Sequence, residues 1–81
     1  MQQIVPDEIL DLKGVPCPQN TAKAMLKLAG MVEGEILEII VDDGEPRINV
    51  PASLEEEENY QILDMVMTDD KLWRIFVKVV G

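Results

Sequence analysis

The chain has 81 residues, 47% of them hydrophobic and one of them cysteine, which bounds it to one small domain with a thin core and no internal disulfide. Sixteen acidic side chains stand against seven basic ones, and a body with a net charge of −9 repels phosphate backbones, so no direct nucleic-acid partner is expected. The absence of histidine removes Cys–His and Ser–His catalytic pairs, and with one cysteine it leaves no zinc site of the usual kind.

The N-terminal stretch Met1–Asp7 has no basic region followed by a long apolar run, so no signal peptide is expected. No uninterrupted apolar segment approaches the ~18 residues that span a bilayer. The expectation is a cytoplasmic protein with no membrane partner. Ile9–Leu12 reads as a short strand with Leu10 and Leu12 on one face, closed by Lys13 and Gly14. Cys17 then stands between Pro16 and Pro18. Pro18 biases Cys17 toward extended backbone and itself suits the first turn of a helix. Cys17 is therefore expected just outside a helix N-terminus made by Pro18, Gln19 and Asn20. Its thiol would lie beside free backbone N–H groups and the positive end of the helix dipole, a placement that favours the thiolate. From Pro18 to about Met31, the residues Ala22, Met25, Leu26, Ala29 and Val32 follow helical spacing, with Lys23 and Lys27 on the wet face. Gly34 supplies the turn out.

Ile36–Val41 is the strongest strand signal, nearly continuous and β-branched, as suits a central strand. Asp42–Pro46 ends it, and Asp42-Asp43 reads as turn chemistry rather than a metal or acid–base pair. Pro51 suits the first turn of a short helix over Ala52–Glu58, with Asn49 or Val50 at its cap and Asn59 as its stop. The carboxylate run Glu55–Glu58 lacks the companion loop of a calcium site and reads as a solvated face. Tyr60–Thr68 and Leu72–Val80 form an antiparallel hairpin through Asp69-Asp70-Lys71, with Trp73, Ile75, Val77 and Val79 on one face.

The order β-α-β-α-β-β predicts an α/β, two-layer sandwich as a single domain over 1–81. Its four-stranded mixed sheet carries both helices on one face, because right-handed crossovers put them there. The opposite face has no helix to cover it. Ile62 and Val66 fall on one side of their strand, and Leu63, Met65 and Met67 on the other. Either set leaves apolar residues on that face, as scattered surface hydrophobics or as a surface for a partner or a homodimer.

Leu10-Asp11-Leu12, Gly14 and Cys17-Pro18, with Gly34-Glu35, the strand end Ile39–Asp43 and Pro51, resemble the signature of the TusA (SirA-like) family of sulfur carriers. The resemblance implies that family's two-layer α/β sandwich. It also implies a sulfurtransferase-type function in which Cys17 accepts sulfane sulfur as a persulfide. The donor would be a cysteine desulfurase or another sulfur donor. The recipient would be an acceptor sulfur-relay protein in tRNA thiolation, molybdenum-cofactor maturation or sulfur oxidation. No cofactor or metal is called for. The family's usual Cys-Pro-X-Pro is here Cys17-Pro18-Gln19-Asn20. Where typical members have an arginine and an aspartate before the proline of the second helix, this chain has Arg47, offset by a position, and Asn49, as candidate second-site polar residues. Two alternatives remain: a non-catalytic interaction or regulatory module using the uncovered sheet face, and a thiol-redox protein forming mixed disulfides.

Overall fold

A computed structural model describes residues 4–81; Met1, Gln2 and Gln3, part of the stretch expected to lack a signal peptide, lie outside the described residues. The elements are β1 (Glu8–Asp11), α1 (Gln19–Ala29), β2 (Ile36–Asp42), α2 (Glu45–Glu55), β3 (Tyr60–Met67) and β4 (Leu72–Val79). The strands form one four-stranded sheet in the order β1-β2-β4-β3. β1 is parallel to β2, and β4 runs antiparallel to both β2 and β3. It follows that β2 and β3 point the same way on either side of β4. Both helical connections are then parallel crossovers stepping in the same direction across the sheet. Sharing one hand, they deliver both helices to one face, where α1 and α2 pack against each other. The expected mixed sheet with two helices on one face is what the chain adopts.

The core lies between the layers. Leu37, Ile39 and Val41 of β2 and Ile75, Val77 and Val79 of β4 alternate toward the helices. There they join Leu12, Ala24 and Leu28, Met31, and Val50 and Leu54 of α2. Leu10, Met25, Tyr60, Ile62, Met65 and Trp73 pack around its edge.

Three expectations need correcting. The buried stripe of α1 is Asn20, Ala24 and Leu28. Ala22 and Ala29 are exposed, and Leu26 is 77% exposed against 1% for Leu28. Two apolar stripes share this helix, and the one that includes a buried asparagine won. The second helix begins at Glu45 rather than near Pro51. Gly44 takes φ 101°, which suits glycine, and Pro46 occupies the first turn where its missing N–H costs nothing. Pro51 sits inside the helix, and the chain leaves it after Glu55, so Glu56–Glu58 and Asn59 form a turn. Finally, the pairing of β3 with β4 shifts between Ile62 and Asp64. This bulge resets the alternation: Ile62, Met65 and Met67 lie opposite Val77, Ile75 and Trp73, on the helix side, and Val66 lies opposite Arg74.

The face away from the helices has a small assembly of its own. Glu38, only 3% exposed, receives two hydrogen bonds from the Arg74 guanidinium at 2.8 and 3.0 Å. The same guanidinium lies 5.4 Å from the centre of the Phe76 ring, which is 6% exposed. The paired carboxylate holds the Arg74 pKa above its ordinary value, through the hydrogen bond first and the charge second.

Candidate functional site

Because β1 and β2 are parallel, their C-terminal ends share one edge of the sheet. Segments leaving parallel strands at that edge commonly line ligand crevices. Cys17 follows β1 there, and α2 follows β2.

The loop carrying Cys17 is fastened at several points. The Leu12 N–H donates to the Ile40 carbonyl at 2.8 Å, extending the β1–β2 ladder by one bond. The Lys13 N–H donates to the Asp11 carboxylate at 2.9 Å, and the Val15 N–H to the Leu12 carbonyl at 3.0 Å. Gly14, at φ 80°, turns its N–H to the Asp42 carboxylate at 2.7 Å, from 28 residues away in the chain. Beyond these ties Pro16, Cys17, Pro18 and Gln19 are exposed, and Cys17 is a free thiol.

Pro18 is the cap residue of α1, and the peptide bond before it is cis. The first turn keeps few donors for the sulfur. The Asn20 N–H donates to the Pro16 carbonyl at 3.0 Å and the Ala22 N–H to the Pro18 carbonyl at 3.1 Å. The Thr21 N–H donates to Asn20 Oδ1 at 2.6 Å, and the Thr21 hydroxyl approaches the same oxygen at 3.3 Å. The helix N-terminus thus leaves Cys17 at most the Gln19 N–H. Asn20 is fully buried, with its Nδ2 lacking a hydrogen-bond partner. The residue that stands where the resembled motif has proline is therefore part of the α1 underside.

The polar group at the sulfur comes from the other helix. Asn49 Nδ2 lies 3.8 Å from Cys17 Sγ, 32 residues apart in sequence. Asn49 reaches it from the body of α2, which the early helix start at Glu45 made possible. Arg47 is engaged elsewhere. Its guanidinium lies over the Trp73 ring at 4.9 Å, and its Nε is 3.5 Å from the Asp43 carboxylate without hydrogen-bond geometry. Asp43 also accepts the Trp73 indole N–H at 2.9 Å. That bond, then the Gly44 N–H, holds the Asp43 pKa below the ordinary carboxylate value, with Arg47 and Lys71 adding to it against some desolvation. Of the two polar candidates from the second helix, Asn49 is the one in contact with Cys17. The missed signal was Gly44-Glu45-Pro46, a helix start overshadowed by Pro51 five residues on. Among the described residues, no group of three or more Cys, Asp or Glu side chains gathers to hold a metal, and no helix is long and apolar enough to cross a membrane.

Comparison with known proteins agrees with the resemblance read from the motif. The family model described as "Sulfurtransferase TusA" matches residues 8–79. A protein of Archaeoglobus fulgidus named "Putative sulfur carrier protein" is 38% identical over 78 residues, covering 95% of this chain and 86% of that protein. The Escherichia coli K12 protein named "Putative sulfur carrier protein YedF" is 34% identical over 65 residues, covering 80% of this chain and 83% of the relative. In fold, the chain is similar to a crystal structure of a SirA-like protein from Desulfitobacterium hafniense, with a TM-score of 0.77 at 23% identity over 91% of this chain and 99% of that one.

Proposed function

The chain belongs to the TusA sulfurtransferase family, and from that premise we propose that it is a sulfur carrier loading sulfane sulfur as a persulfide on Cys17. The observation that carries this reading is the exposed free thiol of Cys17, displayed on a fastened loop with an amide at its sulfur. Buried cysteines behave as small inert hydrophobes, whereas transfer chemistry needs an accessible sulfur.

The step is a displacement at sulfur. The Cys17 thiolate attacks the outer sulfur of a donor persulfide, and a new S–S bond forms as the donor's own S–S bond breaks. The electron pair leaves on the donor's thiolate, and Cys17 becomes S–SH with no net oxidation. Delivery is the same exchange, with an acceptor thiolate attacking the outer sulfur and Cys17 leaving as thiolate. With one cysteine in the chain, the loaded persulfide has no internal thiol to discharge it as a disulfide. The partners are then a donor such as a cysteine desulfurase and an acceptor relay protein, each meeting Cys17 in turn.

Incubation with a cysteine desulfurase and cysteine is expected to add the mass of one sulfur atom to the intact chain, removable by a reducing thiol. Cys17→Ser should take up none while keeping the parent fold by circular dichroism. Equal sulfur uptake by Cys17→Ser, or none by the parent chain with any persulfide donor, overturns the reading. A mixed disulfide at Cys17 in place of a persulfide would point to redox exchange instead.

A further inference from the structure

Resting on the reading of Cys17 as the sulfur-bearing residue, we infer that Asn49 is a positioning residue for the transfer, its side-chain amide donating to the Cys17 sulfur and holding that sulfur's direction. The contact joins α2 to the loop before α1. It is set by how the two helices pack and not by local chain geometry. Asn49 is half-buried in the second turn of its helix, so its side chain starts from a fixed backbone.

The argument from surroundings is one of elimination. Of the charged groups near this end of the sheet, Lys13 faces Asp11 at 4.0 Å and Asp42 accepts the Gly14 N–H at 2.7 Å. Arg47 and Asp43 are taken up with Trp73. Three N–H groups of the first turn of α1 already have acceptors. Among the described residues, Asn49 is the side chain that donates to Cys17.

A neutral amide suits a two-way exchange. Hydrogen bonds strengthen when the acceptor is ionised, so the contact tightens on whichever sulfur carries charge as the exchange proceeds. It does so without the full charge of a lysine or arginine, and a sulfur stabilised too far loses nucleophilicity. A persulfide places its outer sulfur one S–S bond, about 2.05 Å, beyond Cys17 Sγ. The amide's two N–H donors leave one for the inner sulfur and one for the outer.

The test compares the parent chain with Asn49→Ala, Asn49→Asp and Asn49→Gln. It reads the rate of iodoacetamide alkylation at Cys17, at fixed neutral pH, beside sulfur uptake from a desulfurase. Loss of a hydrogen bond to ionised sulfur at an exposed site is expected to slow alkylation about three- to tenfold in Asn49→Ala. Asn49→Asp keeps the shape but replaces the donors by a negative charge, and should be slower again. Asn49→Gln retains the amide and should recover part of the loss. Uptake should fall in the same order through its maximal rate, with the half-saturating donor concentration unchanged. Circular dichroism and melting of each variant establish that the fold is kept. If Asn49→Ala and Asn49→Asp alkylate at the parent rate, the inference is overturned, even where the parent chain loads sulfur normally. If the order holds but the parent chain takes up no sulfur, the N–H···S contact stands and the carrier reading falls.

Discussion

Asp42 and Asp43 are adjacent and chemically alike, yet they do different work. Asp42 accepts the Gly14 N–H of the cysteine loop, while Asp43 accepts the Trp73 indole N–H and faces Arg47 at the start of α2. Reading the pair as turn chemistry captured their place but not these long-range partners, which no local pattern encodes. Cys17, by contrast, was legible, because two flanking prolines and a following helical period specify an exposed strand-to-helix junction. Asn49 was legible only as a polar residue near the second helix; its contact depends on where that helix starts. For Asp43 the direction of linkage follows from its lowered pKa. The ionised carboxylate is preferred in the folded chain, so its contribution is complete above the ordinary Asp value of about 3.9 and is lost as pH falls through the lowered folded value. Asp43→Asn should therefore melt below the parent chain at neutral pH, and the gap should close as the melts are repeated below about pH 4.

At the scale of elements, the order and kind of all six followed from periodicity, because strands and helices bury apolar residues at different repeats. What periodicity left undetermined was rotation and phase. On α1 both the stripe through Leu26 and the stripe through Leu28 carry apolar residues at helical spacing, and the chain buries the one that includes Asn20, Ala24 and Leu28. On β3 one extra residue near Leu63 reversed the alternation after Ile62. These assignments make opposite forecasts for two neighbouring leucines. Leu28→Ala should cost about 2–5 kcal/mol in urea unfolding, as truncation of a filled core does. Leu26→Ala should stay within about 0.5 kcal/mol, as at ordinary surface positions. Equal losses at both would mean that α1 is rolled from the orientation described.

For the molecule as a whole, the excess of acid sets the response to salt. The Cα trace measures 32 × 29 × 18 Å. In about 10 mM salt the Debye length, roughly 30 Å, spans nearly all of it, whereas at about 0.15 M it shrinks to roughly 8 Å. The four ion pairs among the described residues are mostly at the surface, and screening them costs little. Relief of the net repulsion left by 16 acidic against 7 basic side chains outweighs that cost. The melting temperature should accordingly rise between those salt concentrations, and a fall would show that the pairs dominate.

The bond from Gly14 to Asp42 gives the thiol a fixed address, because it moors the loop to the end of an interior strand rather than to the helix that follows. Under the proposed carrier function, a donor and an acceptor would each meet the loop at the same place on the sheet edge. A carrier of the kind proposed, met by unlike donors and acceptors, would need that constancy more than a pocket of its own.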